Sequence, residues 1–136
     1  MKRPSVIWIL LSMFLCCAAY AEAKIEAAEA AAHEWLRAVD EGDYAAAWAL
    51  SSTLLRETIG PAELAQALES GRRGFGSVVS RERLGAVTTT TLPGAPDGNY
   101  VVFTFQAQFE NKKDGIETVT PRLEDGVWKV SGYYVR

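Results

Sequence analysis

The single histidine, His33, precedes a cluster of acids, and these residue types could bind a metal or transfer protons. The oxygens of Asp40, Glu41 and Asp43 would suit a hard cation, but the alternating acids and distal glutamate of a calcium loop are absent. Zinc sites without cysteine commonly use two or three histidines, so we expect no metal site. A turn between two helices explains the cluster better. Gly42 suits the position after a helix end, and Asp43 suits the N-cap of the next helix.

Among the acidic residues, Glu117 is the main candidate for a catalytic role. It shares a strand phase with Val119 and Leu123, so its side chain could point inward. A buried carboxylate beside a tyrosine could act as a base, but a position near the strand start beside water is the favoured interpretation. His33 is the second candidate base. Its i−4 and i+4 neighbours carry opposite charges, which favours a row of surface ion pairs instead.

The stretch "GRRGFG", residues 71–76, could hold an anion between Arg72 and Arg73 in a nest of backbone N–H groups. Dinucleotide and P-loop motifs place their glycines between a strand and the helix that follows. Here the glycines follow a predicted helix and precede a predicted strand. We therefore interpret the stretch as a helix end and the entry to a sheet. Neither a G-x-S-x-G elbow nor an S-x-x-K motif is present to indicate a serine nucleophile.

The N-terminus has the pattern of a secretory signal peptide. Lys2 and Arg3 precede a continuous apolar run over residues 6–21, which ends in an A-Y-A triplet at Ala21. Small residues at the first and third positions of that triplet suit a signal peptidase. The run is shorter than the roughly 20 residues of a membrane-spanning helix. We predict cleavage after Ala21 and a single domain over residues 22–136.

Both cysteines, Cys16 and Cys17, lie in the predicted signal peptide. Lipid attachment fits poorly, because Leu15 precedes Cys16 where a lipoprotein signal needs a small residue. The remaining chain has no thiol for a disulfide, a nucleophile or a metal. Without Lys2 and Arg3 it carries 12 basic and 17 acidic residues, a net charge of −5. That balance argues against a nucleic-acid partner and gives no attraction to anionic lipid.

Three helices are predicted for the first half of the domain. The alanine-rich residues 22–42 favour a helix with an apolar stripe at three- and four-residue spacing. The stripe consists of Ile25, Ala28, Ala32, Leu36 and Val39. A second helix is predicted from Tyr44 to about Leu55. Gly60 and Pro61 begin a third, because proline suits the first helical position.

Four strands are predicted for the second half. The segment "YVVFTFQAQFE" alternates cleanly, as a half-buried antiparallel strand does. Its apolar face consists of Val101, Phe103, Phe105, Ala107 and Phe109. In the last strand the shared face is predicted to consist of Trp128, Val130, Gly132 and Tyr134. Pro121 cannot donate to a ladder and predicts an edge strand or a bulge. The predicted fold class is α+β, with three N-terminal helices on a four-stranded antiparallel meander.

The motifs together resemble a known family. "EWLRAVDEGDYAAAW", "SVVSRERL" and "EDGVWKVSGYYVR" resemble the bacterial family called domain of unknown function 4019, over nearly all of residues 27–136. The "GDY" between two helices and the closing "WKVSGY" are also similar to the nuclear transport factor 2-like architecture. That resemblance implies a curved sheet around a helix and a cone-shaped pocket. The architecture hosts isomerases, dehydratases and non-enzymatic modules, so it implies geometry rather than chemistry, and no catalytic residues are carried over.

Two functions remain open. The favoured hypothesis is an exported, non-enzymatic module, in the periplasm or outside the cell, that binds a small apolar ligand or an envelope protein. We expect no cofactor and no stable membrane insertion after cleavage. The alternative is a small isomerase or hydrolase that uses Glu117 or His33 with a tyrosine. The candidate pocket residues are Trp35, Tyr44, Trp48, Phe103, Phe105 and Glu117.

Overall fold

Four helices precede four strands in the computed structural model, which describes residues 6–136 and the side chains of residues 16–136. The helices are α1 (Val6–Asp40), α2 (Tyr44–Leu50), α3 (Thr53–Thr58) and α4 (Pro61–Gly71). The strands are β1 (Val78–Thr89), β2 (Tyr100–Phe109), β3 (Lys112–Glu124) and β4 (Val127–Val135). The predicted α+β class and its four-stranded sheet are confirmed.

Helix α1 is continuous through the predicted cleavage position at Ala21. The side chains of residues 16–23 are all exposed. Its contribution to the core begins with Ile25 and Ala28. Residues 22–136 therefore contain the whole of the described core. No helix in the described part of the chain is long and apolar enough to cross a membrane.

The acidic stretch after α1 is a turn, as predicted. Gly42 has a φ of +73°, the left-handed conformation that glycine adopts without strain. One carboxylate oxygen of Asp43 accepts a hydrogen bond from the backbone N–H of Ala46 at 3.0 Å and so caps α2.

The predicted helix from Tyr44 to about Leu55 is broken at Ser51 and Ser52, where α2 ends and α3 begins. The backbone N–H of Ser52 donates to the carbonyl of Val130 at 2.8 Å. Its hydroxyl accepts from the N–H of Leu55 at 3.1 Å and caps α3. Both contacts satisfy backbone groups outside a continuous helix, and serine favours such alternatives. The break therefore places the start of α3 against β4.

The sheet has the order β1-β2-β3-β4, and every neighbouring pair is antiparallel. Helix α1 packs on one face of it. The apolar face predicted for β2 is confirmed as the centre of the core. Its buried members are Val101, Phe103, Phe105, Ala107 and Phe109.

A bulge interrupts the pairing of β3 with β4. Thr120 pairs with Gly132, but Pro121 pairs with Val130, so Ser131 is an extra residue on β4. Pro121 is fully buried on an interior strand. Of the two explanations predicted for this proline, the structure shows the bulge.

The bulge corrects the predicted face of β4. Val130 is buried as expected, but Tyr134 is 62% exposed. An extra residue reverses the alternation beyond it, because successive strand residues point to opposite faces. Tyr133 therefore points inward in place of Tyr134. Its ring centroid lies 5.1 Å from that of Trp35.

Candidate functional site

Glu117 is fully buried, so the favoured position beside water was wrong. The reason is that β3 begins at Lys112, and Glu117 does not lie at the strand start. Its carboxylate accepts a hydrogen bond from Arg72 Nη2 at 2.8 Å and from Arg81 Nε at 2.7 Å. Arg81 Nη2 adds a longer contact of 3.3 Å. The hydroxyl of Tyr133 donates to the same carboxylate at 2.5 Å. Both oxygens are therefore occupied by donors from the protein.

Asp40 binds the same two arginines from the other side. Arg72 Nη1 donates to Asp40 at 2.6 Å, and Arg81 donates from Nη1 at 2.9 Å and from Nη2 at 3.1 Å. Two carboxylates thus face two guanidinium groups with no net charge. We call Asp40, Arg72, Arg81, Glu117 and Tyr133 the Glu117 cluster.

Each member of the Glu117 cluster comes from a different element. Asp40 is the last residue of α1, and Arg72 is the C-cap of α4. Arg81, Glu117 and Tyr133 come from β1, β3 and β4. The bulge in β4 brings the tyrosine to the inner face. The cluster therefore joins both long helices to three of the four strands.

Electrostatics keep the donors of the Glu117 cluster protonated. Burial lowers the pKa of Arg81, but its hydrogen bonds to Asp40 and Glu117 outweigh burial and raise the pKa overall. The pKa of Arg72 is raised in the same way, against burial, by Tyr133, Asp40 and Glu117. Burial raises the pKa of Tyr133, and the charge of Glu117 raises it further. The tyrosine is therefore a hydrogen-bond donor and not a base.

Glu117 in this state is a poor general base. A base must reach the proton that it removes from a substrate. Glu117 has no exposed surface, and its oxygens already accept four hydrogen bonds from three residues. Arg72, which the sequence suggested as an anion ligand, binds carboxylates of its own chain. The Glu117 cluster therefore acts as a structural clamp, meaning that its ion pairs and hydrogen bonds hold α1, α4, β1, β3 and β4 together.

The raised pKa of Tyr133 predicts a loss of stability at alkaline pH. The unfolded state releases this proton near the ordinary pKa of about 10, whereas the folded state retains it. The contribution is thus complete below about pH 10 and falls as the pH rises above that value. Denaturation at pH 8 and pH 11 should show a larger fall for the wild type than for Tyr133→Phe. Equal falls would contradict the assignment.

His33 is not a member of the Glu117 cluster. Its side chain is 49% exposed and lies 3.5 Å from Glu29, its i−4 neighbour. Glu29 also accepts a hydrogen bond from Arg83 at 2.7 Å. The imidazole ring lies over Phe105, with 5.3 Å between ring centroids. The structure thus places His33 in a surface row of polar side chains with Glu29 and Arg83, at the edge of the core.

A groove of about 300 Å³ lies between α4 and the end of β4. Its lining is almost wholly apolar and includes Trp35, Leu55, Ile59, Leu64, Leu68 and Tyr133. The indole N–H of Trp35 donates to the hydroxyl of Ser51 at 3.0 Å, so the ring presents carbon to the groove. The hydroxyl of Tyr133 belongs to the Glu117 cluster. These two rings leave no polar atom unpaired here, whereas Tyr134, which also lines the groove, is exposed.

The other predicted pocket residues lie in or against the core. Phe103 and Phe105 are fully buried and do not line the groove. Tyr44 and Trp48 are half-buried and pack against the core from α2. The indole N–H of Trp48 donates to the carbonyl of Ile59 at 3.0 Å. Of the six candidates, the groove brings only Trp35 to a lining position.

The sequence did not predict the partners of Glu117. Asp40 was interpreted as part of a turn, and Arg72 as part of a helix end. Arg81 was not singled out. The available signal was the pair of arginines in "SRER", since two arginines two residues apart share one strand face. Within the part of the chain that the structure describes, no group of three potential ligands could hold a metal.

The comparisons with known proteins give one result. A family model described as Protein of unknown function (DUF4019) matches residues 31–133, which is most of the chain. The match covers the last ten residues of α1 and all the later elements up to Tyr133 in β4. No curated protein matches the chain in sequence. The Glu117 cluster, including Asp40 and Tyr133, lies inside the matched range. The resemblance is confirmed, and the chain belongs to the family of domain of unknown function 4019.

Proposed function

We propose that this chain is an exported, non-enzymatic module that binds a small apolar ligand in the groove between α4 and β4. The observation that carries the proposal is the groove itself, with its apolar lining. Its volume of about 300 Å³ is at the lower end of the range for ligand sites. A ligand of modest size and little polarity fits this space best.

The pairing of polar atoms around the groove supports an apolar ligand. Trp35 and Tyr133 direct their polar atoms to protein partners. Tyr134, the third amphipathic residue of the lining, is exposed. The remaining lining comes largely from aliphatic side chains of α3 and α4. Binding would therefore rest on burial of apolar surface, worth about 25 cal/mol per Å². Specificity would come from shape more than from hydrogen bonds.

The contact between Glu117 and Tyr133 is the feature that favours the alternative, an isomerase or hydrolase. Such a role would require the carboxylate to leave Arg72 and Arg81 and to meet a substrate. Breaking a buried ion pair is costly, because it leaves charges uncompensated. The clamp therefore supports a binding role over a catalytic role for this end of the domain.

We also propose that the fold is of the nuclear transport factor 2-like type. In support, a long helix, α1, packs on the inner face of an antiparallel sheet, and shorter helices follow it before the first strand. Bulges in the pairings of β1 with β2 and of β3 with β4 favour strand curvature. Comparison of an experimental structure with known members of that architecture would test this proposal.

Ligand binding in the groove predicts a rise in stability with an apolar probe. Octan-1-ol at 100 times its Kd should stabilise the wild type by about 2.7 kcal/mol, seen as a higher melting temperature. Ala67 lines the groove from an exposed position on α4, so Ala67→Phe should fill the space without disturbing the core. That variant should lose the response. Ala62→Phe, at an exposed position on the same helix that does not line the groove, should keep it.

A wild type that shows no stabilisation up to the solubility limit of octan-1-ol would contradict the groove proposal. An equal response in Ala67→Phe and Ala62→Phe would place the alcohol elsewhere and would also contradict it.

Export predicts a defined N-terminus. Since Ala21 completes the signal peptidase pattern, the protein recovered from the envelope or the medium should begin at Glu22. Intact-mass spectrometry measures this directly. An acylated Cys16 or Cys17, or retention of residues 1–21, would contradict the prediction.

A further inference from the structure

A second cavity, of about 500 Å³, lies at the opposite end of the sheet from the groove. It is bounded by α1 near its predicted cleavage position, by the end of β1, by the start of β2 and by Trp128 near the start of β4. Trp128 and Tyr133 are five residues apart on β4, which separates the two spaces by roughly 15 Å. The cavity is therefore distinct from the groove and from the Glu117 cluster.

The charge and polarity of this cavity differ from those of the groove. Its polar lining consists of Lys24, Thr88, Thr89, Thr90, Asn99 and Tyr100. Lys24 is the one charged residue among the lining side chains, and no carboxylate lines the space. The hydroxyls of Thr89 and Tyr100 already donate to backbone carbonyls. The ammonium of Lys24 and the remaining hydroxyl and amide groups can donate hydrogen bonds to a ligand. The lining thus favours a ligand that is negatively charged and accepts hydrogen bonds.

The indole donor of Trp128 is unused within the described part of the chain. Three tryptophans have described side chains. Trp35 donates to Ser51 and Trp48 donates to the carbonyl of Ile59. Trp128 lines the cavity, and its Nε1–H has no hydrogen-bond partner among the described residues. Trp128 is half-buried, and a ligand in this cavity could accept a hydrogen bond from this N–H.

Lys24 is also free of carboxylate partners among the side chains that the structure describes. Its ammonium lies 5.7 Å from the centroid of the Tyr20 ring. Tyr20 and the lining residue Ala21 belong to the predicted signal peptide. Cleavage after Ala21 would remove both, release Lys24 from the ring and widen the cavity mouth.

We propose that this cavity binds a small organic carboxylate, with Lys24 and the indole N–H of Trp128 as its principal donors. The hydroxyls of Thr88 and Thr90 and the amide of Asn99 lie at the same cavity and supply further donors. The flat face of Trp128 suits a planar or apolar body on the ligand. The inference rests on the proposed export only for the access of the ligand to the cavity, because cleavage after Ala21 removes Tyr20 from beside Lys24.

The test uses residues 22–136, which contain the described core, and benzoate as the probe. This chain has three indole N–H groups, and Trp128→Phe identifies the NMR signal that belongs to Trp128. Benzoate should shift that signal in a saturable manner. Benzamide, which has the same ring without the charge, should not. Lys24→Met should weaken benzoate binding at least about tenfold, as the loss of one hydrogen bond to a charged group predicts. Lys113→Met, at an exposed position at the other end of the sheet, should not change it.

Three results would overturn the proposal. The Trp128 signal could stay in place with benzoate, it could respond equally to benzamide, or Lys24→Met could bind benzoate as the wild type does. A benzoate-induced shift of Trp35 alone would place the probe in the apolar groove. That result would also overturn the carboxylate site, while leaving the proposed function of the groove intact.

Discussion

Glu117→Gln is expected to lower the free energy of unfolding by about 3–5 kcal/mol, because it removes one charge from a buried and neutral set of four. Glutamine keeps the size of the side chain but offers the two arginines only one carbonyl oxygen. Arg72 and Arg81 would then share Asp40 as their one remaining carboxylate, in a site that excludes most water. Urea denaturation measures the change. Glu82→Gln, an exposed acid on β1 with no ion pair among the described residues, should change stability by less than about 0.5 kcal/mol.

A double variant distinguishes the effect of an unpaired buried charge from the effect of any other change to the site. Arg72→Met with Glu117→Leu removes one charge of each sign and leaves Arg81 paired with Asp40. Apolar replacement of a buried ion pair is often neutral or stabilising, so the double variant should be more stable than Glu117→Gln. A small loss in Glu117→Gln, comparable with Glu82→Gln, would show that the Glu117 cluster is not a clamp. It would also reopen the catalytic alternative.

The strand phase of Glu117 indicated an inward direction, but a position beside water was favoured, and its partners were not predicted. A period of two along β3 places Glu117 in phase with Val119, and the structure shows that this phase, and not the expected strand start, determines its burial. Its arginines are distant in sequence. Arg72 lies 45 residues from Glu117 and 32 from Asp40. Local pattern carries no information about such pairs, because the fold determines which elements meet.

β-Bulges explain why the alternation of apolar residues predicted the wrong face of β4 and gave no clear face for β1. On β1 a register shift lies between Arg83 and Gly85, where Leu84 is 55% exposed. Without that shift, Arg81 would share the phase of Val87, which is 63% exposed. With it, Arg81 faces inward and reaches Glu117. A single extra residue cannot be read from the hydrophobic pattern of a strand this polar, although it decides which side chains form the site.

Helix ends were predictable wherever one residue has a specific local role. Gly42 and Asp43 were assigned from backbone chemistry alone, and the structure confirms both. The break at Ser51 was missed because its cause is tertiary. The hydroxyl of Ser51 bonds Trp35, and the next residue pairs with β4. Local propensity over Tyr44 to Leu55 favours a continuous helix, and these contacts override it.

The second large effect is expected at Phe103, in the middle of β2. The ring is fully buried and packs beside Phe105, with 5.9 Å between ring centroids. Since it lines none of the cavities described above, Phe103→Ala should create a void in the core and lower the free energy of unfolding by about 3–5 kcal/mol. That is a large share of the stability of a domain this size, about 5–15 kcal/mol. Phe105→Ala should lose a similar amount.

Val102→Ala provides the matched control, because Val102 is adjacent on the same strand and half-buried on the other face. It should cost clearly less than Phe103→Ala in chemical denaturation, since less apolar surface is lost and no enclosed void forms. If Phe103→Ala and Phe105→Ala cost no more than Val102→Ala, the two rings would have to be already accessible to water in solution. The inner face of β2 would then line an open pocket, and the apolar ligand would be sought there instead of in the groove. Two losses of about 3–5 kcal/mol would place the phenylalanines in solid core and leave the groove beside Trp35 as the apolar site.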